Sequence, residues 1–161
     1  MAIEAPISRH KKNNLKIYIA VCLVASAIFA YDGYLSKYKW SKRHDFYKKH
    51  FIDNGGKPTS TMNFNRKSPP FLIGAAVLLA GYLLAIRNRR IIADQNELVI
   101  NGNEKIAYDS IQRIDKTHFK SKGFFILTYK NGNDREVNRK LSDRTYDNLA
   151  PILDHLVAKI S

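Results

Sequence analysis

The sequence predicts a membrane α-helical hairpin joined to a small α+β domain, an antiparallel sheet closed by a C-terminal helix. Three observations predict it. Two uncharged runs, Ile17 to Tyr31 and Phe71 to Ile86, have no polar face to turn toward water. Beyond residue 88 the apolar pattern shortens to strand length and is punctuated by Asn101-Gly102 and Asn131-Gly132. The last stretch, with Tyr146, Leu149, Leu153, Leu156, Val157 and Ile160, returns to helical spacing.

At about 1.5 Å per residue each apolar run covers roughly 23–24 Å, short of the ~30 Å hydrocarbon core, so flanking residues must complete the spans. The first span is expected over residues 15–35, with Tyr34 and Leu35 extending it through the interface, and the second over residues 71–86. Pro69 and Pro70 sit ahead of the second run, where a missing N–H costs little at a helix start. Small residues recur in both, Ala20, Ala25, Ala27 and Ala30 in the first and Gly74, Ala75, Ala76, Ala80 and Gly81 in the second; such residues let helices approach closely in lipid. Two alternatives compete with this reading. The runs could be core helices of a soluble domain, although the rest of the chain is too small to cover both. The first could be a cleaved signal peptide, with Arg9, Lys11, Lys12 and Lys16 ahead of the run and Ala25-Ser26-Ala27 as its cleavage site.

The chain of 161 residues carries 27 Lys and Arg against 14 Asp and Glu, a net charge of +13. One cysteine, Cys22, rules out an internal disulfide framework and any zinc site built from several thiolates. The basic residues divide almost evenly between the terminal flanks, including a basic tail over residues 1–14, and the loop over residues 36–70. Orientation is therefore close to a tie under the positive-inside rule; the dense Arg87, Arg89, Arg90 cluster tips it toward cytoplasmic termini. In the loop, Tyr38 and Trp40 join Phe46, Tyr47 and Phe51 among lysines, as in a segment leaving the bilayer with aromatics at headgroup depth. Together Tyr34, Tyr38, Trp40, Arg87, Arg89 and Arg90 are the expected membrane-interface residues, and the bilayer the first partner. Nucleic acid as a partner of this aromatic-basic mixture is the weaker reading beside an apolar helix. From Asn54-Gly55-Gly56 to Pro70 the loop reads as irregular.

In the β-domain, strands are expected at Ile91 to Ala93, Glu97 to Ile100, Glu104 to Tyr108, Ile111 to Phe119, Gly123 to Lys130 and Asp134 to Leu141. Pro151 fits the closing helix only in its first turn, which places the start near Asn148. Six short strands and one amphipathic helix suggest a partial barrel with the helix plugging an open end.

The order of elements over roughly residues 88–160 resembles bacterial pleckstrin-homology-like domains. The resemblance rests on KIAYDSIQRIDKTHFKSKGFFILTYKNG, in which Tyr108, Asp109 and Ile111 enter a long strand and Gly123 precedes an apolar one. It implies an antiparallel PH-like partial barrel over residues 88–161, in families that often tether the domain to two membrane helices. Two departures stand out. The only tryptophan, Trp40, lies outside the domain, and the connection at Asp94 to Asn96 is too short for a phosphoinositide loop. The fold carries over, and no lipid-binding residues do.

No cofactor or metal is expected. His10, His44, His50, His118 and His155 are scattered, none at the i, i+4 spacing of a helical metal pair, and no phosphate loop or nucleophile elbow appears. Asp32, at the end of the first run, reads as an interfacial acid. The basic surface expected to interact comprises Arg113, Lys116, Lys120 and Lys122 from one strand and its exit, with Arg135, Arg139 and Lys140 from another. The expected function is a membrane-anchored, non-enzymatic adaptor presenting the domain to another membrane protein or complex. The alternative is a module that senses anionic lipid headgroups through the basic face.

Overall fold

The computed structural model describes residues 2–160; Met1 and Ser161, the outer ends of the expected tail and β-domain, lie outside the described residues. The chain divides into two compact units, one made of residues 1–13 with 84–161 and the other of residues 14–83.

The first unit holds the sheets. Its opening strand, β1 (Ile3–Pro6), falls where a basic tail was expected over residues 1–14. It pairs antiparallel with β2 (Arg90–Ala93), Ile3 opposite Ala93 and Pro6 opposite Arg90, although more than eighty residues separate the two. Strand β3 (Glu97–Ile100) and β4 (Glu104–Ala107) complete a four-stranded sheet in sequential order. A tail of four residues gives little periodicity, and only Ala5 and Ile7 identify it afterwards: they are 0% and 2% exposed. Asn101 and Gly102 both take positive φ, 56° and 78°, as a type I′ hairpin between β3 and β4 demands.

The second sheet runs β5 (Ile111–Asp115), β6 (Phe124–Lys130), β7 (Glu136–Ser142). Strand β5 stops four residues earlier than the pattern suggests. Asp115 Oδ1 accepts the Thr117 N–H at 3.0 Å and turns the chain into the short helix α4 (Phe119–Lys122), closed by Gly123 at φ 68°. The second Asn-Gly also behaves differently from the first. Asn131 Oδ1 accepts the N–H groups of Asn133 and Arg135, the positive φ falls on Asp134, and β7 starts at Glu136.

Helix α5 (Leu149–Ile160) starts where Pro151 required, within a turn of Asn148. Its buried stripe, Leu149, Ile152, Leu153 and Leu156, packs with β1 and β2. Inward-facing Ile91, Leu98, Ile106, Phe125, Leu127 and Leu141, all at most 1% exposed, form the rest of the core. Tyr108 and His155 pin the helix at the far turn: the Tyr108 hydroxyl donates to the Asp94 carbonyl at 2.6 Å, and His155 Nε2 lies 3.2 Å from the same oxygen.

The second unit is built on two helices. Helix α1 (Arg9–Ala30) continues into a π-helical turn at Tyr31–Leu35, and helix α3 (Ser60–Ile86) runs unbroken through Pro69 and Pro70. Between them lie α2 (His44–Tyr47) and a second π-helical turn at Lys48–Ile52. Each long helix, counted as Arg9–Leu35 and Ser60–Ile86, has 27 residues and is long and apolar enough to cross a membrane. Only 11% and 17% of their apolar windows are buried. Val24, Ile28, Phe71, Val77 and Leu78 are all more than half exposed.

The expectation that α3 begins after the prolines is corrected: it begins eleven residues earlier, where Thr59 Oγ1 accepts the Met62 N–H at 3.4 Å. Two interior prolines are tolerable because of what stands beside them. They lack N–H groups, so the carbonyls of Asn65 and Arg66 lose their helical donors. The Tyr34 hydroxyl donates to the Arg66 carbonyl at 2.7 Å, and Arg66 Nε returns a bond to the Gly33 carbonyl at 3.0 Å. One turn on, Ser26 Oγ donates to the Pro69 carbonyl at 3.2 Å. Close approach of the helices occurs at Gly33, where a Cβ would sit 2.9 Å from the Asn65 carbonyl oxygen. At Gly74 and Gly81, two of the small residues singled out in the sequence, a Cβ would meet nothing within 4 Å.

Candidate functional site

The seven basic residues expected to share a surface do not do so. Register decides this. Along β6 the buried residues are Phe125, Leu127 and Tyr129, and their β7 partners are Leu141, Arg139 and Val137. Arg139 therefore points to the core side of the sheet, where its Nη2 binds Glu104 Oε2 at 2.9 Å. Arg135 lies in the β6–β7 loop, at the opposite end of the hairpin from Lys122. Arg113 remains outward on β5, paired with Thr128 beyond a bulge at Gln112, and Lys116, Lys120 and Lys122 follow it in the turn and short helix.

Glu104 ties the two sheets together. Its Oε1 accepts the Tyr129 hydroxyl at 2.6 Å while its other oxygen takes Arg139. Burial, with Glu104 adding to it, pushes the Tyr129 hydroxyl up to about 12. Tyr108 is likewise pushed up to about 12 by burial and by the charges of Asp94 and Glu97. An open cleft of about 640 Å³ lies between β4 and the β6–β7 loop, lined by Glu104, Lys105, Tyr129 and Asn131 among others. Most of the charged groups around it are paired: Glu104 is bridged to Tyr129 and Arg139, Lys105 pairs with Glu97 at 3.1 Å, and Lys130 with Asp134 at 3.8 Å.

A different cluster is more compact. Ser121, Lys122, Phe124, Lys140, Ser142 and Arg144 line one depression of about 280 Å³. Lys140 Nζ sits 3.7 Å above the Phe124 ring. Sequence reasoning passed over Arg144 and the two serines because they come from a short helix, a strand end and a loop. The period-2 alternation of β7 was the available signal: it sends Lys140 outward and Arg139 inward.

In the helical unit, Asp32 is 7% exposed and receives Arg43 through both carboxylate oxygens, each at 2.8 Å. Arg43 also stacks over Phe46 at 5.5 Å. Of the expected interface residues, Tyr34 is engaged with Arg66, Tyr38 stacks on Trp40 with centroids 5.6 Å apart, and Trp40 is 68% exposed. Arg87, Arg89 and Arg90 line a shallow cavity with Glu4 and Pro6, and Arg90 Nη1 binds Glu4 at 3.1 Å. Among the described residues, no group of three or more His, Cys, Asp and Glu side chains could hold a metal ion.

Compared with known proteins, the chain matches no family model, no curated protein and no solved structure.

Proposed function

We propose that the chain is a non-enzymatic membrane adaptor, a helical hairpin that holds a PH-like domain at one membrane surface for contact with another membrane protein or complex. The observation that carries this reading is the pairing of β1 with β2. The strand ahead of the first apolar helix and the strand behind the second belong to one sheet, so a chain crossing a bilayer between them must cross an even number of times. Two helices of sufficient length stand between them. The exposed apolar side chains along both supply the lipid-facing surface that such crossings need.

The pairing also bears on the signal-peptide alternative. Cleavage after Ala27 would strip β1 from its sheet and uncover the core around Ala5 and Ile7, so retention of the first helix is the favoured reading. Four plus three antiparallel strands with a closing helix support the PH-like assignment, with the hairpin taking the place of the first interstrand loop. The Arg87, Arg89, Arg90 cluster favours placing the domain in the bacterial cytoplasm. Tethering raises the effective concentration for weak partners to about the millimolar range, which suits an adaptor.

Affinity purification of the full chain from its native membrane in mild detergent tests the proposal. A membrane protein co-purifying in fixed stoichiometry is the expected result. A lone monomer across several detergents would contradict the adaptor reading.

A further inference from the structure

Lys122, Lys140 and Arg144 approach one depression from three different elements, a helix end, a strand and a loop, and the hydroxyls of Ser121 and Ser142 line the same wall. Three cationic side chains that line one depression repel each other unless something negative stands among them. None of the ion pairs among the described residues uses any of the three. The neighbouring acid, Asp143, folds back: its N–H donates to the Gly123 carbonyl at 2.9 Å, and its carboxylate lies over the Gly123 α-carbon. The lining of the depression contains no acid. The Ser142 hydroxyl accepts the Arg144 N–H at 3.3 Å, which leaves its own hydrogen free to donate outward.

Size and position narrow the ligand. A volume of about 280 Å³ corresponds to about nine waters at ~30 Å³ each, below the usual range of drug-sized pockets. It admits one small anion with part of its hydration. The loop that supplies Arg144 also grips the start of α1: the Arg144 carbonyl accepts Ser8 Oγ at 3.1 Å, the Thr145 carbonyl accepts the Ser8 N–H at 2.8 Å, and Asp147 Oδ2 accepts the Arg9 N–H at 2.9 Å. The uncharged run begins eight residues beyond Arg9.

We infer that Ser121, Lys122, Lys140, Ser142 and Arg144 form a binding site for a phosphate monoester. A dianionic phosphate offers three acceptor oxygens, which matches two ammonium groups, a guanidinium fork and two hydroxyl donors. This site differs from the basic face read from the sequence, sharing only Lys122 and Lys140 with it and adding Arg144 and the two serines, and it stands whether or not the adaptor proposal does. The phosphate can belong to an anionic lipid headgroup or to a free solute.

The test uses the full chain in mild non-ionic detergent, titrated calorimetrically with short-chain phosphatidic acid, with short-chain phosphatidylcholine and with inorganic phosphate. Saturable binding of phosphatidic acid but not of phosphatidylcholine or phosphate supports the site with a lipid headgroup as its source. Binding of phosphatidic acid and phosphate alike supports it with a free phosphate as the source. In either case Lys140→Gln with Arg144→Gln should weaken binding at least tenfold, and Lys140→Arg with Arg144→Lys should restore most of it. The thermal midpoint of each variant, unchanged from the parent, separates a lost site from a lost fold. Absence of binding by both phosphates, or binding indifferent to the paired glutamines, overturns the inference.

Discussion

A backbone carbonyl decides whether two consecutive prolines can sit inside a helix. Pro70 removes the donor for Arg66, and the Tyr34 hydroxyl replaces it at 2.7 Å from a neighbouring helix whose Gly33 allows the approach. Gly33→Ala would press a methyl group to 2.9 Å from the Asn65 backbone, which cannot yield as a flexible side chain would. A loss of about 1–3 kcal/mol is expected from such overpacking, read as a lowered thermal midpoint of the full chain in detergent. An unchanged midpoint would mean that the helices do not pack there. Tyr129 gives a pH signature. Its hydroxyl is pushed up to about 12, whereas an unfolded tyrosine titrates near ~10. The fold favours the protonated form, so this stabilisation is complete below about pH 10 and fades as pH rises through about 12. Tyr129→Phe should flatten the alkaline fall in stability over that window, measured by thermal unfolding at stepped pH; a fall as steep as the parent's would contradict the Glu104–Tyr129 bond. None of these contacts was legible in the sequence, because each joins residues far apart in the chain through a side chain that looks ordinary in its own segment.

Individual elements were legible where periodicity or a special turn fixed them. The Asn101-Gly102 hairpin, the closing helix beginning near Pro151 and the two apolar helices follow from residues in plain view. Strand β1 does not: Ile-Glu-Ala-Pro has no periodicity long enough to read, and its identity comes from Arg90–Ala93 needing a partner. The start of α3 was misplaced because prolines mark helix starts only when nothing else replaces the lost hydrogen bonds. A consequence follows for the sheet. A fragment of residues 88–161 lacks β1 and exposes the edge of β2, with Ile91 and Ala93 beside it. It should unfold without cooperativity or aggregate. Joining residues 2–9 through a short glycine-rich turn to residue 88 should restore a cooperative, soluble domain, since Ile7 and Arg89 are already hydrogen-bonded at 3.1 Å. Equal stability of the two proteins, by urea unfolding followed by circular dichroism, would remove β1 from the fold.

At the level of the whole molecule, one sheet is assembled from both sides of a two-helix excursion, and the apolar faces of those helices are left uncovered. A soluble protein would hide such faces, and lipid removes the need. Small residues and charge balance in the sequence spoke to helix packing and orientation only weakly, whereas pairing across the excursion ties the two ends together. Cysteine accessibility in intact vesicles tests this most directly, with Cys22 replaced and single cysteines placed at exposed Lys57, between the helices, and exposed Asn133, in the β6–β7 loop. Labelling of the two positions by a membrane-impermeant maleimide from opposite faces is the predicted result. Labelling of both from the same face would contradict the hairpin.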